Sequence, residues 1–465
     1  MALGVPSSSP AVVIKEIDAS TSIRTASTTI GGTVGNFRWG PVGVPVTVAT
    51  ETELVANFAS PDDANSVEFH SAAYYLRYAD NLKVVRTTDN SARNAHNADS
   101  AVAPTINNST SWDAQEATLA GEDHTFIAKY PGAMGNSLKV EVCLADSAEF
   151  ALWGARTEFD THPGTSAAAT AEVHVAVIDV NGEFGDKGEV LETFPFVSLA
   201  TNSKKADGSS NYIKDVVNAG SSYVWMSGFG AAGTFDADAG TAATSGKNYL
   251  PVSTSTVVLA FSGGVSPAAS TMGGMTTAFD QLEDEDTVDV DIFFANSLSA
   301  RMDHVTVAAD ITATAEARKD CVAVVSPARS DIVGVSDPAT MVSNTVATLA
   351  VANMGSSSYR ICDNNFLKVY DKYNDKYIMI PAASSTAGIM AATDNNAAPW
   401  VSPAGTRRGN YLGITSLAYS PTKAQRDTLY KANINPIASI PGQGILLYGD
   451  KTHLSRPSAF DRINV

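Results

Sequence analysis

Cys321-Val322-Ala323-Val324-Val325 is an apolar run with no polar interruption. A sheet with one wet face alternates apolar and polar residues, so this run predicts a strand covered on both faces, as in sheets flanked by helices. The flanking sequence agrees. Residues 304–319 are rich in Ala and Thr and read as a helix ahead of the strand. Beyond it, Asp337 supplies an N-cap acceptor and Pro338 a first helical residue with a preset φ. Met341, Val342, Thr345, Leu349 and Ala352 then mark one stripe of that helix. Upstream, Phe261-Ser262-Gly263-Gly264 leads into a helix with Met272, Met275, Phe279 and Leu282 on one face, and Val288 to Phe294 reads as another strand. Ser420, Pro421 and the run to Lys431 form a last helix.

The same texture occurs near the start of the chain. Gly35-Asn36-Phe37-Arg38-Trp39-Gly40-Pro41 is a turn with two aromatic anchors. Ser60 and Pro61 predict a helix start, with Asp62 and Asp63 in the electropositive first turn. Val67, Ser71, Tyr74, Tyr75 and Tyr78 share a face of that helix, and Leu82-Lys83-Val84-Val85-Arg86 is a short buried strand. Between these halves the texture changes. Asn, Ser, Ala and Gly dominate 90–122, which reads as a loose linker. Strand-like segments follow at Thr125–Ala128, Ser137–Leu144, Glu172–Asp179 and Val190–Phe196, separated by Gly- and Asp-rich turns. The predicted fold class is α/β (α+β): a discontinuous core domain from 23–90 and 261–465, with a mostly-β domain inserted at 91–260. Residues 1–22 read as an arm. Within it Val12, Val13, Ile14, Lys15, Glu16 and Ile17 form a lone strand whose backbone must pair in this chain or another.

At 465 residues the chain exceeds what one core supports, so two or three domains are expected. No apolar run approaches the ~18–20 residues of a membrane helix, and the first residues lack the basic start and apolar stretch of a signal peptide. Three scattered cysteines, Cys143, Cys321 and Cys362, make neither a disulfide framework nor a zinc site and fit a reducing cytoplasm. The net charge of −18 argues against wrapping nucleic acid. That charge is uneven: residues 1–104 carry −3, 105–310 carry −19 and 311–465 carry +4. The acidic stretch reads as a solvated outer surface or as the complement of a basic patch on a neighbour.

Motifs for covalent chemistry fail on context. Gly228-Phe229-Gly230-Ala231-Ala232-Gly233 matches a dinucleotide fingerprint, but no amphipathic helix opens at its third glycine. Gly240 to Lys247 has a spacer one residue too long for a phosphate loop, and Asn248 replaces the magnesium-binding hydroxyl. Glu283-Asp284-Glu285-Asp286 with Asp289 and Asp291 lacks the glycine and distal glutamate of a calcium loop. Asp289 and Asp291 alternate with Val288, Val290 and Ile292, so they are expected to point away from the core. The seven histidines, His70, His96, His124, His162, His174, His304 and His453, stand isolated. No serine sits in a nucleophile elbow, so a Ser-His-Asp site would need a chance meeting in space. No catalytic, cofactor or metal residue is assigned.

The C-terminal stretch carries the most specific signal. Trp400-Val401-Ser402-Pro403-Ala404-Gly405 with Arg407-Arg408-Gly409, a helix around Gln425 to Tyr430, Asn435-Pro436-Ile437, Ile445 to Thr452 and Phe460 to Val465 together resemble the tail sheath proteins of contractile-tailed phages. Gly35 to Pro41, Leu82 to Arg86, Tyr130-Pro131-Gly132, Phe261 to Gly264 and Tyr370 to Asp375 resemble segments of that family in the same order. The resemblance implies a non-enzymatic structural subunit that polymerises around a tail tube and contracts to drive it through the host envelope. It implies other sheath subunits, the tube protein, and baseplate and tail terminator proteins as partners, with no cofactor, no direct nucleic acid and no membrane insertion. It also implies residence in the virion after assembly in the host cytoplasm. It favours donation of the Val12–Ile17 strand to a neighbouring subunit. Family members continue past this point into a joining domain, so a monomer or weak oligomer is expected. The alternatives are a sheath subunit of a secretion system or bacteriocin and, further off, an α/β enzyme.

Overall fold

The computed structural model describes residues 29–97, 103–119, 125–143, 147–163, 172–227, 256–267, 269–456 and 458–463. Strand Val322–Val325 lies inside a six-stranded sheet. It pairs in parallel with Ile292–Phe294 on one side and Arg360–Cys362 on the other. Ile292–Phe294 in turn pairs in parallel with Gly31–Gly35, and that strand with Leu82–Arg86. Pro45–Val48 closes the far edge antiparallel to Leu82–Arg86. The middle of this sheet therefore joins the beginning of the described chain to its second half.

The unbroken apolar run follows from what covers the sheet. Ala323 and Val325 face a layer built from helices Met272–Phe279, Arg301–Arg318, Pro338–Thr348 and Lys423–Lys431. Val322 and Val324 face helices Glu51–Phe58, Ser66–Tyr75 and Ala383–Asn396. Each fully buried side chain of this size stabilises the fold by about 1.5–3 kcal/mol. Gly31 shows how tight the layers are, because a Cβ there would sit 2.5 Å from the Tyr75 ring.

The segment between the two halves builds its own sheet. Val190–Ser198, Glu172–Asp179, Leu138–Cys143 and Val257–Ala260 lie in that order, all antiparallel. Val140, Val142, Val173, Val175 and Val177 pack on one side against Ile213 and Val217 of helix Ile213–Gly220. Cys143, Ala176 and Ile178 pack on the other against Trp153 and Phe159. A short ladder, Phe126–Ala128 with Val224–Met226, completes the region. Toward the C-terminus, strands Phe366–Asp371, Lys376–Pro381 and Ser416–Leu417 and the hairpin Ile437–Ile440/Gly444–Leu447 share a further core with Tyr74 and Tyr411.

Four details differ from expectation. The helix expected at Pro61 begins at Ser66, because the Asp62 carboxylate accepts from Ala64 and Asn65 N–H and captures the chain in a turn. A separate helix, Glu51–Phe58, precedes it, capped by Thr50. The loose linker contains helix Ser109–Leu119, held down by Trp112 stacked on Trp225 at 4.9 Å. The strand expected from Val288 is confined to Ile292–Phe294, and Asp291 does not turn to solvent but accepts a hydrogen bond from Ile30 N–H at 2.6 Å.

Candidate functional site at the junction of the two sheets

The turn after strand Gly31–Gly35 sends its two aromatic anchors to different cores. Phe37 enters the core beside the six-stranded sheet and meets Phe58 at 4.8 Å. Two residues on, Trp39 enters the core of the antiparallel sheet, edge-on to Tyr130 at 5.4 Å and Phe184 at 4.8 Å. Arg38 lies between them and pairs with Asp62 at 3.5 Å on one side and Glu183 on the other. One turn thus spans both hydrophobic bodies.

Arg86 fastens that turn. It ends strand Leu82–Arg86 and is fully buried. Its Nε donates to the Phe37 carbonyl at 2.8 Å, Nη1 to Gly40 at 2.7 Å, and Nη2 to Pro131 at 2.6 Å and to Arg38 at 3.3 Å. No carboxylate pairs with it among the described residues. Burial pulls the guanidinium down to about 9, which still leaves it charged at neutral pH. Main-chain dipoles supply the solvation that a buried cation requires. Three of its acceptors belong to the turn and the fourth to Tyr130-Pro131-Gly132, so a single side chain ties the two regions together. Gly132 has φ +148°, and a Cβ there would lie 2.9 Å from the Arg38 carbonyl. Within the inserted region Asn94 donates from Nδ2 to the carbonyls of Ile106 at 3.1 Å and Ala128 at 2.9 Å while accepting from Ile106 N–H. Glu68 receives the Asn36 N–H at 2.5 Å, and burial pushes its carboxyl up to about 7 against hydrogen bonds from Ser270 and Asn36.

A second polar cluster lies past the carboxyl ends of Val322–Val325 and Arg360–Cys362. Ser326 Oγ donates to Asp363 at 2.8 Å and accepts from Ala383 N–H at 2.8 Å. Thr386 donates to the other Asp363 oxygen at 3.2 Å, and His304 Nε2 approaches the Ser326 carbonyl at 2.7 Å. Burial raises the Asp363 carboxyl to about 7 despite these donors. Serine, histidine and aspartate do meet here, but in the wrong order for nucleophilic catalysis. The hydroxyl donates to the aspartate, the imidazole meets a carbonyl instead of Oγ, and all three side chains are sealed from solvent. The cluster is structural.

The residues singled out from sequence are placed as follows. Val12, Val13, Ile14, Lys15, Glu16 and Ile17 lie outside the described residues, as do Gly228–Gly233 and Gly240–Lys247. The Asp284 carboxylate accepts from Asp286 N–H and Thr287 Oγ1, closing its own turn. Among the described residues no group of three or more His, Cys, Asp or Glu is arranged to hold a metal. No described helix is long and apolar enough to cross a membrane. Arg86 was not singled out, because its partners are main-chain carbonyls that any residue would supply.

Residues 268–453 match the family model described as the phage tail sheath protein central domain. That span contains strands Ile292–Phe294, Val322–Val325 and Arg360–Cys362 and most of the C-terminal sheets. Across 98% of its length the chain is also 29% identical to the tail sheath protein of Salmonella phage ViI, of which it covers 81%. The chain is thus similar to phage tail sheath proteins along nearly its whole length. The tail sheath protein of Enterobacteria phage T4 is 27% identical, over 98% of this chain and 83% of its own length. A sheath tail protein of Listeria innocua shares the fold, with a TM-score of 0.53 at 12% identity over 94% of this chain and 73% of its own. The Arg86 junction lies outside the matched span, so this chain fastens its antiparallel sheet with residues from before it.

Proposed function

We propose that this chain is a structural subunit of the contractile tail sheath of a tailed phage, polymerising around the tail tube and contracting to drive it through the host envelope. The likeness to phage tail sheath proteins along 98% of the chain carries this reading. The work comes from switching contacts between subunits, not from covalent chemistry. The sealed Ser326, His304 and Asp363 cluster accords with a non-enzymatic role. Sheath subunits, the tube protein, and baseplate and terminator proteins are the partners, in a virion assembled in the host cytoplasm. Residues 23–90 and 261–465 form the load-carrying domain, 91–260 an outward-facing one, and the Val12–Ile17 strand is donated from the arm at 1–22 to a neighbour. The Arg86 junction then makes the two domains move as one body.

Gold-labelled antibody against the chain tests the reading on intact and triggered particles. Label should line the tail and shorten with it on contraction. Label confined to the head, or absent from the particle, would overturn the proposal. Limited proteolysis tests the domain division, and the absence of any cut near 91–122 or 255–262 would argue against a separate insert.

A further inference from the structure

Two surfaces of the chain carry opposite charge. Residues 280–320 hold eleven acidic and three basic side chains, and residues 400–463 hold eight basic and three acidic. In the acidic set, Glu283, Asp284, Glu285, Asp286 and Asp289 are exposed. None of them enters an ion pair among the described residues. Arg318 reaches the main chain of this turn at Leu282 and Val288 and interacts with Glu285, one cation against five carboxylates.

Part of the basic set lies beside large exposed rings, and Arg462 and Phe460 border Asp291 and Asp320 of the acidic set. The loop bearing Arg407 and Arg408 runs beside strand Gly444–Leu447, with Gly405 N–H donating to the Leu447 carbonyl at 2.9 Å and Leu447 N–H to Gly409 at 2.8 Å. Tyr448 follows directly, 52% exposed, with the Arg426 guanidinium 5.6 Å from its ring centre. Asp450 receives both Ser402 Oγ and Arg462, and Arg462 also donates to the Tyr430 hydroxyl at 2.9 Å. Lys451 sits over the Tyr430 ring at 4.0 Å. Trp400 and Phe460 stand 76% and 68% exposed on the same stretch. Exposed Trp, Tyr and Arg together have the composition of an interface centre, and an Arg or Lys over a ring is already held in a binding geometry.

We propose that this cationic, aromatic face binds the acidic 283–289 turn of a second copy of the chain. The inference names a contact within the assembly already proposed, and so rests on the sheath reading. Opposite potentials steer such surfaces together and penalise like-with-like docking. Because the two surfaces are different, each copy presents one of each and the contact is heterologous. A heterologous contact has no twofold closure and propagates into a ring or a helical stack. The chain's net charge of −18 disfavours nucleic acid or an anionic membrane as the occupant.

Sedimentation velocity of the full chain tests this across NaCl from about 20 to about 500 mM, which shortens the screening length several-fold. The unchanged chain should associate weakly at low salt and dissociate at high salt. Arg407→Glu with Arg408→Glu should weaken association about 10–100-fold, as should Glu283→Lys with Glu285→Lys. Mixing the two variants should restore it, since one then presents two acidic faces and the other two basic ones. All four positions are exposed, and circular dichroism checks that each variant keeps its fold. The proposal is overturned by an unchanged chain that stays monomeric at low salt, by reversals without effect, or by a mixture that fails to recover. It is also overturned if the cationic face takes up anionic vesicles or DNA while copies stay apart. None of these results alters gold labelling of the tail, whereas loss of that labelling would sink the sheath reading with salt-sensitive association intact.

Discussion

Each of the two large sheets keeps a buried aspartate, and the two carboxylates are solvated in opposite ways. Asp363, beside the six-stranded sheet, has two hydroxyl donors, Ser326 and Thr386, and one long backbone contact from Asn365 at 3.4 Å. Asp179, ending a strand of the antiparallel sheet, receives N–H groups from Gly182 at 3.0 Å, Phe184 at 2.7 Å and Gly185 at 3.1 Å, together with the Ser137 hydroxyl. Burial raises Asp363 to about 7. Burial also opposes ionisation of Asp179, but the Ser137 and backbone donors outweigh it and hold that carboxyl below its ordinary value. A tight turn of amides is worth more to a carboxylate than hydroxyls that can rotate away. Asp179 ends a strand at the tight turn between two consecutive strands of the antiparallel sheet, and that turn points N–H groups inward. The six-stranded sheet is closed by distant segments, and its polar residues meet side chain to side chain.

Arg86 is where that comparison breaks most easily, because it links the two regions. Arg86→Ala leaves four buried carbonyls without a donor and should cost about 4 kcal/mol. Arg86→Lys keeps the charge but loses the fork and should recover less than half of that. Urea denaturation followed at Trp fluorescence measures the loss, and calorimetry should resolve one transition into two as the sheets uncouple. A single unshifted transition would mean that the sheets are coupled through the aromatic anchors alone.

The aspartates come next. A raised folded value means that native Asp363 holds its proton from about pH 4 to about pH 7, where the unfolded chain does not. The associated stability is greatest below that window and is lost as pH rises through about 7. The stability gap between the unchanged chain and Asp363→Asn should therefore widen by about 2–3 kcal/mol in favour of the unchanged chain between pH 7.5 and pH 5. Urea titrations at the two pH values measure it, and a pH-independent gap would show that Asp363 is ionised in the fold. Asp179 has the reverse sign. Its folded value is depressed, so its contribution is present above the ordinary carboxylate range and disappears as pH falls through the folded value. Asp179→Asn should cost about 1–2 kcal/mol at pH 7, and the cost should shrink as pH falls through the folded value. Acidification then strengthens one region and loosens the other, which hydrogen exchange resolves region by region.

Much of the frame was legible in the residues. Val322–Val325 announced a doubly covered sheet, Asp337 and Pro338 announced helix Pro338–Thr348 with its capping bonds, and the inserted strands fell close to where alternation placed them. What stayed hidden shares one physical cause. Helix Ala383–Asn396 is buried on nearly every side between the sheet and helix Ser66–Tyr75, so its Ala, Ser and Thr show no polar stripe and no helical period. Helix Ser109–Leu119 is mostly polar and depends on a tryptophan far down the chain. The Arg86 junction uses carbonyls, which carry no side-chain signature. Periodicity reports one wet face and one dry face, and it is silent where both are dry or where the partner is backbone.

The smallest effect probes the second face of the antiparallel sheet, which has no counterpart among the flanking helices of the other. There the Trp153 indole N–H donates to Glu141 Oε2 at 2.7 Å, and Lys139 Nζ pairs with Oε1 at 2.6 Å. The indole is 4% exposed and the Lys139 ammonium partly exposed. In Glu141→Gln the amide oxygen still accepts from Trp153, while the ion pair, screened by its partial exposure, is lost. A charged hydrogen bond exchanged for a neutral one at such a site should cost about 0.5–1 kcal/mol. Glu141→Ala should cost about twice as much, since it strands the buried indole N–H. If the two variants are equally destabilising, the Lys139 pair and not the indole bond holds that face. The half of the sheet covered by Trp153 and Phe159 would then depend on salt, which the six-stranded sheet, covered by apolar helix faces on both sides, does not.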